Sequence, residues 1–311
     1  MHSLFLALSS PIHAFVEPGA DFCLLWLSTY LLGAAVLYLR RGGDWRDLPA
    51  ALFPAAIYRH PSARMDCWIW FINAAMVIPL VASVAGPSIL GGLVSQKVGE
   101  WLPAAPTHLP GGTIGGLILS TSLFLAVDCG IYLGHLALHR SPVLWEFHKV
   151  HHSAPVLIPF TAMRQHPVDF IVTSVAAGLL VGVVVGLIGW LMPADLDQTE
   201  ILRTNLFNLL FIATVLHFRH SHVELHWGKP WSWLFVSPRM HHLHHSDDPT
   251  DYDCNLGVTM ALWDHLFGTA KLPRPGQTIT YGIGPEGDEH RTLAAIYVTP
   301  CVKAWRRLRR I

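Results

Sequence analysis

Twenty histidines stand in this chain of 311 residues, nearly as many as its 21 lysines and arginines combined. They are not scattered. His135 and His139 form HLALH, His148, His151 and His152 form HKVHH, and His241, His242, His244 and His245 form RMHHLHHS. Between the last two groups lie His166, His217, His220, His222 and His226. Residues three and four apart share a helix face, with about 5–6 Å between Cβ atoms, so HxxxH and HxxHH can turn two or three imidazoles toward one point. Neutral imidazole is a borderline ligand suited to iron, zinc, copper or nickel. The expected chemistry is that of a metal centre. Upstream, Asp128, Tyr132, His135 and His139 follow at spacings of 4, 3 and 4 on one helix face. A carboxylate within an apolar segment is costly and usually functional. Asp128 is therefore expected to orient a ligating histidine, directly or through Tyr132 or a water.

Other metal and redox centres do not fit the pattern. HExxH is absent, because HVELH at 222–226 places its glutamate centrally, and no Glu-x-x-His pair of the carboxylate-bridged four-helix kind occurs. The five cysteines are odd in number and form no CxxC, which argues against a disulfide framework or a thiolate zinc site. His2, His13, His60, His108 and His290 stand alone and read as background, while His265 in WDHLFGT reads as packing or as support for a ligand.

The elements that must position these residues are membrane helices. The chain is 52% hydrophobic and only 14% charged, against roughly 25% charged in ordinary soluble domains. Crossing about 30 Å of hydrocarbon takes about 20 mainly apolar residues. Four or five segments qualify, at 22–39, 67–90 (interrupted by Pro79), 113–133, 170–192 and the short 201–216. The expected fold is an all-α multispanning bundle with a histidine-rich helical cap on its cytoplasmic side. Its 21 basic and 21 acidic residues cancel, which leaves no electrostatic footprint for nucleic acid. Basic residues gather between the first two spans, between the third and fourth, and after the fifth. By the positive-inside rule those segments, which carry the histidines, are cytoplasmic. The loops at 94–110 and 192–200 are expected outside. The N-terminus lacks the basic region of a secretory signal and reads as part of the mature chain.

An ordered series of motifs from Asp128 onward resembles the fatty acid hydroxylase/sterol desaturase superfamily of integral-membrane di-iron oxygenases. DCGIYLGHLALH, LWEFHKVHHS, TAMRQHPVD, FRHSH, SPRMHHLHHS, NLG and WDHLFGT follow in that family's order. The resemblance implies membrane spans in 1–111 and a catalytic domain in 112–311. It implies His135, His139, His148, His151, His152, His241, His244 and His245 as ligands of two irons, replaceable by zinc. His166, His220 and His222 are further candidates; His222 stands where the family commonly has asparagine, so whether His220, His222 or both complete the site is open. It further implies O₂ as co-substrate, a lipid substrate, and hydroxylation or desaturation of an unactivated C–H bond. No nucleotide-binding fingerprint occurs, so electrons must come from a separate reductase or carrier. The membrane would be the inner membrane of a bacterium or the endoplasmic reticulum of a eukaryote. A histidine-rich metal transporter is the rival from another class, but transport sites lie near mid-membrane on broken helices, whereas these histidines gather at one face. Reporter fusions at Gln96, Ser153 and the C-terminus should read outside, inside and inside; an external Ser153 would overturn this topology.

Overall fold

Within hydrocarbon each peptide group must find its partner inside its own segment, so long apolar stretches fold as helices. The computed structural model describes Phe15 and residues 20–103, 112–191 and 210–310. Its principal helices in the first two thirds of the chain are α1 (Leu24–Arg40), α2 (Pro61–Trp101), α3 (Gly112–Arg140), α4 (Pro142–His152) and α5 (Pro167–Leu191). Of these, α2, α3 and α5 are long and apolar enough to cross a membrane. α1 has 17 residues, about 25 Å at the helical rise, and falls short of the hydrocarbon thickness. Most of the expected fifth span lies outside the described residues; from Leu210 the chain is helical to Arg219.

Two features of α2 differ from the sequence expectation. Pro79 does not break it, because a π-helical turn at Asn73–Val77 immediately precedes the segment Ile78–Ala85 that contains the proline. The wider turn accommodates a residue that has no N–H and whose ring crowds the preceding carbonyl. The interruption falls instead at Gly86, whose ψ of 143° is extended, as expected for a residue before proline. The stretch 94–101, expected as loop, is the end of this helix.

Small residues let α5 sit between its neighbours. A Cβ on Gly130 of α3 would come within 2.4 Å of Ala177 Cα, and one on Gly182 within 2.8 Å of Gly91 O on α2. In lipid, where apolar area drives no association between helices, such close backbone packing is what holds them together. α3 runs antiparallel to α5 and projects beyond the apolar stretch, carrying His135 and His139 into the cap.

The cap is built from α4 and, later in the chain, α6 (Trp231–Leu234), α7 (Pro238–His244), α8 (Leu262–Phe267) and α9 (Leu293–Leu308). Both HxxHH helices begin alike: Ser141 and Ser237 cap α4 and α7, accepting from Leu144 N and Met240 N, with proline next in each. Arg164, almost fully buried, ties the cap to the membrane helices. It pairs with Asp66 of α2 at 2.8 Å and also donates to Ser62 Oγ, Val150 O, Ser153 Oγ and His290 O. Removing one partner from a buried pair of this kind costs about 3–5 kcal/mol. On the outer face of α4, Lys149 joins Glu146 and Glu286, and Arg307 of α9 joins Glu146. Among the described residues there is no strand, only isolated bridges such as Phe235 with Met260.

The contact between α3 and α5 at Gly130 gives the first structural test. Gly130→Val should force α3 away from α5 and destabilise the fold by about 1–3 kcal/mol, the range for overpacking. A thermal shift in detergent measures it, with Gly189→Val, whose Cβ would meet nothing within 4 Å, as the neutral comparison.

Candidate metal centre

Successive residues on a helix are rotated by about 100°, so positions 1, 4 and 5 of HxxHH do not point the same way. The first and last differ by about 40°, while the middle one stands about 100° from the last. The structure uses this offset. His148 and His152 join His135, His139 and His244 in one group, and His151 joins His220, His241 and His245 in another; within each group the ligand atoms lie within 4.8 Å of one another. Each HxxHH helix thus gives its first and last histidine to one group and its middle histidine to the other. The groups share a seam where the rings of His152 and His245 stack at 4.7 Å.

All nine rings are held in the interior. Burial, reinforced by neighbouring imidazoles, keeps His151, His152, His244 and His245 well below the ordinary histidine range. Burial, with neighbouring imidazoles and Arg219, does the same for His220 and His241. They are neutral, with lone pairs to offer. In the first group three outer nitrogens are occupied: His135 Nδ1 meets Leu256 O at 2.7 Å, His244 Nδ1 meets Cys254 O at 2.9 Å, and His139 Nδ1 meets Asp253 Oδ1 at 3.0 Å. Those acceptors require N–H at Nδ1 and turn the Nε2 lone pairs inward. The inward Nε2 atoms of His139, His152 and His244 are buried without a protein partner. In the second group His220 Nε2 lies 2.9 Å from His241 Nε2, 3.2 Å from His245 Nε2 and 3.3 Å from His151 Nε2. One imidazole carries one proton and cannot satisfy three such neighbours. Donor atoms arranged in this way fit a metal ion in each group.

A segment of only four residues, 253–256, orients three rings of the first group. Asp253 and Asn255 adopt left-handed backbone with φ of 57° and 53°, a conformation aspartate and asparagine tolerate best among residues with a side chain. The alternation aims the carbonyls of Cys254 and Leu256 at the imidazoles. Asn255 is wholly buried and fastened to Met240 O, Lys271 O and Lys271 N. Asp264, also wholly buried, accepts from Leu256 N, Gly257 N and Thr269 Oγ1.

Asp128 and Tyr132 act through this same region, and neither touches a histidine as expected. Asp128 accepts from Thr259 N and Met260 N at 3.0 Å and from Trp263 Nε1 at 2.9 Å. Tyr132 bonds Thr269 Oγ1 at 3.0 Å and stacks on Phe267. Their link to His135 runs through the protein segment, because Leu256 O occupies its outer nitrogen. His166 and His222 fall outside both groups. His166 Nε2 faces Tyr297 O and its Nδ1 accepts from Val168 N, while His222 Nε2 bonds Ala51 O. His220, and not His222, completes the second group. His217 packs on Phe22, His226 meets Ser237 Oγ, His242 meets Phe218 O, and His265 stacks on Trp233. His60 caps α2 through Ser62 N; His2, His13 and His108 lie outside the described residues.

The model of the fatty acid hydroxylase family matches residues 120–269, the stretch holding all nine clustered histidines together with Asp128 and Asp264. Across that stretch the chain is similar to the fatty acid hydroxylase family. It is 30% identical over 156 residues to an ornithine lipid hydroxylase of Rhizobium tropici, a match covering 49% of this chain and 41% of that protein. It is 29% identical over 146 residues to an alkylglycerol monooxygenase of Xenopus tropicalis, covering 47% and 29%. A Delta(7)-sterol 5(6)-desaturase of Aspergillus fumigatus is 27% identical over 214 residues, covering 66% and 60%. The chain thus aligns with well under half the length of the first two. No solved structure matches it.

Within the fatty acid hydroxylase stretch, four residues that surround the histidines escaped the sequence reading. Asp169 is buried with its carboxylate 3.5 Å from His148 Nδ1, and the only signal for it was its place in RQHPVD. Arg219 reaches His241 Nδ1 at 2.9 Å; burial lowers its guanidinium to about 10, still cationic at neutral pH. Asp253 and Asn255 carried no spacing signal, since the 253–256 segment is irregular.

Removing a donor from each group tests the assignment. His151→Ala and His244→Ala should each lower bound metal, read by elemental analysis of purified protein, whereas His166→Ala and His222→Ala should retain it. Asp169→Asn, which preserves shape but removes the carboxylate's charge, should weaken metal retention roughly 10–100-fold.

Proposed function

We propose that this chain is a membrane-bound di-iron monooxygenase that hydroxylates a C–H bond of a lipid hydrocarbon chain with O₂. The observation that carries the reading is an apolar groove that follows α3, the helix bearing His135 and His139, toward the paired histidine groups. A cavity of about 770 Å³ runs between α3 (Thr121, Phe124, Leu125), the helical turn ending the 210–216 segment, and Trp231, Phe235 and Met260 of the cap. A smaller one of about 330 Å³ shares Phe124, Phe211 and Thr259 with it and continues along α3 to Asp128 and Ile131. His135 stands one helical turn beyond Ile131, on the same face. A hydrocarbon chain laid along this stripe is directed at the first histidine group.

Iron in the two groups would supply the reduction of O₂ and the abstraction of a hydrogen atom from the substrate. The protein's part is positioning and exclusion of water: the apolar walls fix the chain, the neutral imidazoles donate lone pairs, and the 253–256 segment keeps their inner nitrogens turned inward. Hydroxylation takes one oxygen atom into the product and releases the other as water, consuming two electrons and two protons. No flavin or nucleotide fingerprint is present, so a separate reductase or carrier is the proposed source. A polar cavity of about 260 Å³, lined by His139, Trp145, Lys149, His152, His244 and Asp253 among others, opens on the first group and suits water and proton traffic. The basic residues flanking the spans support a cytoplasmic position for this face.

Desaturation is the second reading, favoured by the match to a sterol desaturase over 66% of the chain. Both reactions begin with the same abstraction and part on whether oxygen transfer outruns loss of a second hydrogen. Membranes supplied with reductant, candidate lipids and oxygen-18 gas should yield a labelled alcohol. An unlabelled alkene would move the protein to desaturation, and oxygen from water alone would overturn the oxygenase reading. Val215→Trp, which fills the groove, should abolish turnover of long-chain lipids while bound metal is unchanged.

A further inference from the structure

α8 is folded inside out by the standard of a soluble helix. Its acidic residue, Asp264, is fully buried, whereas Leu262, Leu266 and Phe267 are exposed, Leu266 by 68%. Beside it α6 exposes Trp231, Trp233 and Leu234, and the two helices are joined by the stacked rings of Trp233 and His265 at 4.1 Å. Large apolar side chains clustered this way on a surface mark an interaction site.

The hydrogen bonds to α3 fix the depth of this patch. Leu256 O is tied to His135, Thr269 to Tyr132, and Thr259, Met260 and Trp263 to Asp128. From residue 256 to 263 the chain therefore descends along α3, away from the histidine layer, and returns through α8. Asp128 lies 12 residues before Arg140, roughly 18 Å along the helix axis, and inside the apolar stretch of α3. At that level Val127 of α3 is itself exposed, on a helix that spans the membrane.

Irregular backbone is tolerated at membrane depth only when its polar groups are closed within the protein. Here they are. Thr259 N and Met260 N bond Asp128, Ala261 N bonds Leu234 O, Val236 N bonds Thr259 O, and His265 N bonds Ala261 O. What faces outward is a set of leucine, phenylalanine and tryptophan side chains. The same account explains a carboxylate inside a span: Asp128 receives the donors of a segment that has no water to bond.

We propose that α6 and α8 are immersed in the acyl region of the leaflet next to the histidine layer, with the bilayer's lipid chains as their partner. They form the outer lip of the apolar groove, which Trp231 lines, so that a lipid chain passes sideways from the leaflet into the groove without crossing water. Continuity with the lipid-facing surface of α3 selects lipid over a protein partner. The inference rests on the chain being a multi-pass membrane protein and is independent of the metal and the reaction.

A benzophenone amino acid placed at Leu266 of the full-length protein in phosphatidylcholine vesicles tests it. Leu117 on α3, 49% exposed, serves as the lipid-facing reference, and the exposed polar residue Asp288 as the aqueous reference. After irradiation, mass spectrometry should find phospholipid adducts at Leu266 comparable in yield to Leu117 and about tenfold above Asp288, since hydrocarbon meets only side chains at its own depth. Adduct formation at the Asp288 level while Leu117 reacts, or cross-linking of Leu266 to a second protein chain, would overturn the proposal. Leu262 repeats the measurement if the probe at Leu266 prevents folding.

Discussion

Nine imidazoles facing one another in the protein interior are the constraint on which this structure depends. Charging His151, His152, His220, His241, His244 or His245 is opposed by burial and by their neighbours, and leaving lone pairs opposed is itself costly, because a buried acceptor without a donor loses the hydrogen bonds it had in water. A cation in each group removes that conflict. The surrounding polar architecture holds rings in orientations they would otherwise abandon: Asp264 and Asn255 fasten the 253–256 segment, that segment turns three rings, and Arg164 joins α4 to α2.

The two groups are not equivalent. The first has five histidines, with carbonyl or carboxylate acceptors on the outer nitrogens of three and Asp169 close to a fourth. Such acceptors raise the basicity of the inner nitrogen. In the second, with four histidines, the outer nitrogen of His241 meets the cationic Arg219, and those of His220 and His245 meet no protein partner. An ion in the first group would sit among stronger donors than an ion in the second. The polar cavity opens on the first group, and the smaller apolar cavity follows α3, the helix that carries His135 and His139, as far as Ile131.

The membrane helices and the cap are a single positioning device. Glycine contacts bring α5 against both α2 and α3, which sets where α3 emerges and hence where His135 and His139 stand. α3 in turn anchors the cap through Asp128 and Tyr132. A displacement of α3 would move ligands and their orienting segment together, which preserves the inner geometry of the site at the expense of its alignment with α4 and α7.

Much of this was legible in the sequence because its causes are local. Twenty apolar residues in a row make a spanning helix wherever they occur, and the spacings HxxxH and HxxHH bring histidines to one side of a helix through the 3.6-residue turn alone. Eight of the nine clustered histidines could be named from that spacing and a family resemblance. The tertiary structure decided how those rings are shared out. Whether the middle histidine of HxxHH serves the same group as its neighbours depends on which helix faces it, and here two helices exchange theirs. It also separated His220 from His222, since two residues apart in an irregular turn point to different sides, one inward and one to Ala51 O. Asp128 was expected to orient a histidine directly or through Tyr132 or a water, whereas its partners, Thr259, Met260 and Trp263, are more than 130 residues away in sequence. No periodicity in the chain encodes a hydrogen bond between such distant segments, because only the packed fold brings them together.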